Sequence, residues 1–351
     1  MSILEGYHAA RRTAGVIDFS SRGRIVVAGE DRVSYLQGLL TNDIASLKSG
    51  YGCYAAYLTP QGRMLADLSV INLGEALFLD VSSSCTTMLV DRLREFVFME
   101  NVTVEDRTRT WTAFGLYGPE AARIVSEVIR LVEGFGITEL GAGELSNLKE
   151  YRHFSGEFSG TPVVVVRSDE IGEVGFLVYV ESPRSPFLAD ALRQAGAKAL
   201  DVETFDLLRL ESGRPVFPAD MNQETIPLEA GIQDRAISLE KGCYVGQEVV
   251  IRILHRGQGR VARRLVGLSF KQSDVTPPPG TVLTTPDDPS DKVVGTLTST
   301  ASSPALERPI ALGYVVRELA EVGTKLVVLG VDQRIPVVVT SGSFLELPRS
   351  G

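Results

Sequence analysis

The spacing of apolar and polar positions divides the chain into three stretches. Residues 2–15 predict a polar lead-in helix ended near Gly15. Arg24 to Gly29 reads as a strand closing on a Gly-Glu-Asp turn, and Asp31 is a candidate N-cap for a short helix over 32–40, where Val33, Leu36 and Leu40 fall at helical spacing. Strands follow at 52–58, 64–73 and 76–81. The first two are joined by Thr59-Pro60-Gln61-Gly62-Arg63, in which Pro60 presets its own φ and Gly62 tolerates a positive one. A helix over 85–98 completes the unit.

A second stretch repeats the theme. A strand over 110–117 leads to a helix opened by Pro119 and running to about Val132. Strands at 162–167 and 174–180 flank the Asp169-Glu170-Ile171-Gly172 turn, and helices follow over 186–195 and 200–211. Beyond residue 262 the character changes to six short strands, at 264–270, 280–285, 292–300, 310–316, 324–329 and 335–340. Turn clusters such as Pro277-Pro278-Pro279-Gly280 separate them, the pattern of a small β-barrel or sandwich. The fold class is α+β: two α+β units, roughly 20–108 and 109–262, within a first region over 1–262, then a separate β domain over 263–351. Residues 245–255 fit either a strand or a helix.

Composition narrows the function classes. A net charge of −9 argues against a nonspecific nucleic-acid binder. No apolar run approaches membrane-spanning length, and the first dozen residues carry Glu5, His8, Arg11 and Arg12 rather than an apolar signal core. Cys53, Cys85 and Cys243 are far apart with no metal-ligand spacing, so no metal site is expected and a reducing cytoplasm is.

The densest chemistry lies in Lys241-Gly242-Cys243-Tyr244-Val245-Gly246-Gln247-Glu248. A cation two residues from a thiol favours its thiolate, and two glycines permit tight turns or close approach. Gln247 and Glu248 can hold a thiol, the backbone or a ligand by hydrogen bonds. Against this stands the ordinary burial of cysteine as a small hydrophobe. Downstream, Arg252, Arg256, Arg260, Arg263 and Arg264 form a basic stripe, read either as a solvated face or as an anion site for the carboxylate tail of a ligand or for an acidic partner.

The octapeptide resembles the signature of the YgfZ family of folate-binding, iron–sulfur-related proteins, relatives of the glycine-cleavage T-protein, a tetrahydrofolate-dependent aminomethyltransferase. The likeness spans nearly the whole chain, through Leu36–Asp43 (LQGLLTND), Gln61–Leu68 (QGRMLADL), Arg209–Pro215 (RLESGRP), Ile226–Gly231 (IPLEAG) and Ile310–Gly313 (IALG). It implies two ferredoxin-like α+β units around a central folate pocket plus a C-terminal β-barrel, with 245–255 helical. It implies Asp67 at the position of the T-protein's catalytic carboxylate, and Tyr54 and Arg209 in the pocket with Lys241, Tyr244, Gln247 and Glu248. Cys243 would act as nucleophile, redox thiol or transient ligand.

Two positions depart from the T-protein. Leu177 follows Gly175-Phe176 where T-proteins place a pterin-binding glutamate, so that Leu177→Glu is expected to tighten folate binding. Phe205 replaces an arginine four residues before Arg209. With the octapeptide intact, these departures favour a folate-binding accessory protein that serves iron–sulfur enzymes or their assembly factors, with indirect effects on tRNA modification. The bound cofactor would be tetrahydrofolate or a one-carbon derivative. The alternative is an aminomethyltransferase using Asp67, which needs a lipoyl-carrier protein as partner.

Overall fold

The computed structural model describes residues 3–131, 141–270, 275–330 and 333–345. The chain opens with α1 (Ile3–Arg12) and β1 (Gly15–Asp18). The first unit follows: β2 (Gly23–Ala28), α2 (Arg32–Leu39), β3 (Gly52–Leu58), β4 (Met64–Asn72), β5 (Ala76–Val81), α3 (Thr86–Glu95) and β6 (Thr103–Asp106). Its five strands form one sheet in the order β3-β4-β5-β2-β6. Ile25, Val27, Val70 and Leu79 fill its core with Leu36 and Leu40 from α2 and its end, and Leu89 and Leu93 from α3. β4 alternates strictly at its start and is continuously buried from Leu68 onward, so one end of the strand is sandwiched on both faces.

The second unit comprises β7 (Trp111–Tyr117), α4 (Ala121–Val128), β8 (Arg130–Leu131), α5 (Ala142–Ser146), β9 (His153–Phe158), β10 (Thr161–Ser168), β11 (Gly175–Glu181), α6 (Ser185–Gln194), β12 (Lys198–Ala199) and α7 (Val202–Glu211). Its sheet runs β12-β1-β7-β11-β10-β9-β8. The helix expected to reach Val132 ends at Val128, and Val132 lies outside the described residues. Gly15, expected to end the lead-in helix, instead opens β1, whose residues pair with β7 and β12.

The lead-in helix is also corrected. α1 buries Tyr7, Ala9 and Ala10, and Tyr7 and Arg11 bond Glu211 at the end of α7, so this helix is built into the core. Small alanines carry its buried face, which is why it reads as polar. Between the two sheets lies a shared core: Ile71 and Phe78 from the first unit meet Ile17, Tyr117, Val166, Leu177 and Tyr179 from the second, with Leu207 and Leu208 of α7.

After α7 come α8 (Gln233–Ala236) and α9 (Gln247–His255), then six strands: β13 (Arg263–Ser269), β14 (Val282–Thr284), β15 (Gly295–Ser303), β16 (Arg308–Val316), β17 (Lys325–Leu329) and β18 (Arg334–Thr340). They close as β13-β16-β15-β14-β17-β18, with β13 pairing back to β18, so the barrel leaves no free sheet edge. Its interior is lined by Leu268, Leu283, Leu297, Val315, Val328 and Val339 among others. The 245–255 ambiguity resolves as α9.

Candidate functional site

The β3–β4 hairpin supplies the first two groups. Tyr54 and Ser69 are partners across the hairpin, as are Ala56 and Asp67. Because side chains alternate along a strand, Tyr54 and Asp67 emerge on the same face, and the Tyr54 hydroxyl donates to Asp67 Oδ2 at 2.7 Å. Burial pushes the Asp67 carboxyl above the usual carboxylate range, opposed by the Tyr54 hydrogen bond and by Arg22. Burial likewise holds the Tyr54 phenol well above its ordinary value. The Arg235 guanidinium, delivered by α8, sits 4.8 Å from the centre of the Tyr54 ring and donates to the Tyr151 hydroxyl at 3.2 Å.

These side chains line one cleft between the two units. Its other walls come from Arg22, Asp80, Glu170, Phe205, Arg214 and Phe217. Arg22 bridges two carboxylates, with Nε 2.6 Å from Asp80 and Nη1 3.2 Å from Glu170. Tyr179 donates to Asp80 and Tyr117 to Glu170, at 2.7 and 2.8 Å. On the far side Arg214 pairs with Asp169 at 2.7 Å, and both Arg214 and Arg235 approach Glu150. Burial and the neighbouring Asp169 raise Glu150 to about 7, and the hydrogen bond from Glu150 helps hold Asp169 below the carboxylate range.

Tyr54, Asp67 and Arg209 all border this cleft. Arg209, however, has its guanidinium engaged elsewhere: Nε bonds Asp206, Nη1 bonds the buried Asp220, and Nη2 bonds Ser299 on β15 at 2.7 Å. Arg209 borders the cleft but is committed to ion pairs with Asp206 and Asp220. The pair fastens α7 to the barrel.

The octapeptide is not among the residues lining the cleft. Lys241 Nζ donates to the carbonyls of Gln37, Leu40 and Asn42 at 2.7, 2.6 and 2.8 Å, capping the C-terminal end of α2. All three of its protons are used there, and burial lowers its pKa to about 8. The expectation that Lys241 serves the thiol is corrected: its charge faces carbonyls. Tyr244 is packed into the first unit's core, and burial raises its phenol to about 12.

The octapeptide's second glycine has a geometric reason. Gly246 has φ of +84°, and a Cβ there would lie 2.6 Å from the Thr59 carbonyl oxygen. Gly62, at φ +74°, faces it from the hairpin turn, with Val249 of α9 against it. The segment thus clasps the tip of the hairpin that carries Tyr54 and Asp67. Gln247 and Glu248 form the first turn of α9, Glu248 on the exposed side, and Cys243 is exposed. Arg252, Arg256, Arg260 and Arg264 are also exposed, away from the cleft lining, and no described carboxylate forms an ion pair with them.

Leu177 is 3% exposed within the inter-sheet core. It is not a cleft residue, so Leu177→Glu would bury an unpaired charge; the expectation that it tightens folate binding is corrected. Phe205 does border the cleft, packed edge-on against Phe19 at 5.0 Å.

Sequence reasoning missed Arg22, Asp80, Glu150, Tyr151, Glu170 and Arg235. They come from five separated segments, Glu150 and Tyr151 being neighbours, with no motif in common. Asp80, placed on a predicted strand between apolar neighbours, offered a signal: an acid there must be paired if buried.

A cleft walled by aromatic rings and holding paired acids and arginines between two α+β units defines a small-molecule-binding class of α+β protein with a barrel appendage. Comparison with known proteins carries this further. Residues 1–241 match the GCVT N-terminal domain, and residues 263–346 match the glycine cleavage T-protein C-terminal barrel domain. The chain belongs to the GCVT family. An aminomethyltransferase of Rubrobacter xylanophilus is 30% identical over 312 residues, covering 89% of this chain and 78% of that protein. One from Streptomyces coelicolor is 31% identical over 336 residues, covering 94% and 85%. The crystal structure of glycine cleavage system aminomethyltransferase T from Bartonella henselae has the same fold, with a TM-score of 0.85 at 24% identity over 99% of this chain and 91% of that one. These relatives overturn the expectation of an accessory protein serving iron–sulfur enzymes and tRNA modification, and favour the aminomethyltransferase alternative.

Proposed function

We propose that this chain is a tetrahydrofolate-dependent transferase of the aminomethyltransferase type, with Asp67 as the carboxylate at the reacting folate nitrogen. The observation that carries the reading is the Tyr54–Asp67 pair in the cleft wall: a carboxyl raised by burial and oriented by a phenol at 2.7 Å. Moving a one-carbon unit onto a folate nitrogen requires a group that holds or stabilises a proton there. A carboxyl whose pKa is shifted toward neutrality is suited to that work. The surroundings fit a flat heterocycle, since Tyr54, Tyr151, Phe205 and Phe217 offer ring faces and edges. Arg235 over Tyr54 adds a fixed positive charge to the cleft wall.

The cleft leaves the octapeptide outside, so on this reading its part is to hold the hairpin in place. It supports a position near the YgfZ branch within the family without requiring chemistry at Cys243. Calorimetric titration tests the reading: the chain binds tetrahydrofolate, and Asp67→Asn retains binding while losing methylene transfer from an aminomethyl donor on a lipoyl-carrier protein. Full transfer by Asp67→Asn overturns it.

A further inference from the structure

Glu170 is a cleft carboxylate that the reading above leaves without a task. It sits in the β10–β11 turn, whose backbone is pinned by Gly172 N to Asp169 O at 2.8 Å and by the Ser212 hydroxyl, which donates to the Glu170 carbonyl at 3.3 Å. Its side chain is 26% exposed, whereas Asp80, the other carboxylate on Arg22, is fully enclosed. Arg22 Nη1 lies 3.2 Å from Oε1, and the Tyr117 hydroxyl donates to Oε2 at 2.8 Å. Tyr117 thus holds Oε2, while Arg22 Nη1 lies across both oxygens, nearer Oε1 and 3.5 Å from Oε2. A carboxylate has about four lone-pair positions, so about two remain for a ligand in the cleft.

We infer that Glu170 determines ligand specificity by accepting two parallel hydrogen bonds from the donor edge of a flat heterocycle, an exocyclic amino group beside a ring N–H. This inference rests on the folate reading and names the residue that would recognise the pterin. Three features select that chemistry. The carboxylate is held from behind by Tyr117 and Arg22, so its free lone pairs have a fixed direction. Arg22, at the same carboxylate, disfavours a cationic ligand and favours a neutral donor pair. The aromatic side chains of Tyr54, Tyr151 and Phe205 border the same cleft and suit a planar ring. Two parallel N–H donors meeting one carboxylate is the fork geometry that makes such contacts selective.

The test compares tetrahydrofolate with its 2-desamino-2-methyl analogue, which lacks the amino donor, by calorimetry on the full chain. The wild type is expected to prefer tetrahydrofolate by about tenfold or more, the usual loss when a charged acceptor is left without its donor. Glu170→Gln presents an amide that cannot accept both bonds, so tetrahydrofolate loses more affinity than the analogue and the preference falls to within about twofold. Tyr117→Phe keeps the carboxylate and is expected to retain the preference even if overall affinity drops. Equal weakening of both ligands in Glu170→Gln assigns the residue a merely structural role and overturns the inference, as does an intact preference. If the wild type binds neither ligand, the folate reading itself falls, and the inference with it.

Discussion

Replacing Arg209 by glutamine should reveal whether that arginine holds the protein together or holds a ligand. In the native chain its guanidinium meets Asp220, a fully enclosed carboxylate, while Nη2 reaches Ser299 in the barrel. Removing one member of a buried ion pair costs about 3–5 kcal/mol, because the remaining charge is left without its counterion. Asp220 keeps three other donors, the Val216 amide and the hydroxyls of Thr298 and Ser299, so the lower end applies, about 3 kcal/mol. Against a total stability of about 5–15 kcal/mol that is a large loss. Urea denaturation of Arg209→Gln, Asp220→Asn and the double variant forms a double-mutant cycle. The double variant should be more stable than the two single losses imply, by about 0.5–3 kcal/mol. In parallel, tetrahydrofolate affinity of folded Arg209→Gln should change less than about threefold, because every nitrogen of this arginine already bonds the protein itself. An unmoved denaturation midpoint together with collapsed folate affinity would refute the reasoning.

Other outcomes follow from the same geometry. Iodoacetamide should label the exposed Cys243 before Cys53, whose thiol burial pushes to about 12, and before the buried Cys85; labelling of Cys243 last would contradict its placement. Glu150 is raised from 4.5 to about 7 in the folded chain. Through this carboxyl the native state binds more protons than the unfolded one between those values, so its contribution to stability should fall as pH rises from about 4.5 to 7, against the opposite contribution of His153, which burial lowers to about 4. Glu150→Gln should remove that contribution and shift the slope of stability against pH upward across this range; an unchanged slope rules the shift out. Gly246→Ala needs an unfavourable positive φ and a clash with the Thr59 carbonyl, and should cost about 1–3 kcal/mol in a denaturation experiment. A neutral effect would mean that the clasp on the hairpin is not held there.

Much of the architecture was legible because the chain punctuates itself. The Pro60–Gly62 turn, the six barrel strands and the helix over 202–211 each combine regular apolar spacing with a clear stop. The elements that escaped were those whose burial is achieved by small or polar residues. β9 turns Phe154, Gly156 and Phe158 inward, and the buried glycine between the two rings, with the buried His153 before them, masks the strand pattern. α1 packs through alanines. At the site, Tyr54 and Asp67 could be placed on one hairpin from their positions in neighbouring strands. Lys241 could not, because nothing in KGCYVGQE indicates that its ammonium turns toward the carbonyls ending α2, some two hundred residues earlier. Arg22, Glu170 and Arg235 converge through the packing of two sheets and α8, a long-range property that no local spacing records.

The central claim is that the cleft holding Tyr54 and Asp67 moves a one-carbon unit onto tetrahydrofolate. The most direct measurement is transfer of the methylene carbon from an aminomethylated lipoyl-carrier protein to tetrahydrofolate, comparing the wild type with Asp67→Asn and Tyr54→Phe. The account predicts transfer by the wild type, a loss of about a hundredfold or more in Asp67→Asn as for removal of a general acid–base group, and a smaller loss in Tyr54→Phe, with tetrahydrofolate binding retained in both variants. Transfer by Asp67→Asn at the wild-type rate, or none by a wild type that binds tetrahydrofolate, would contradict it.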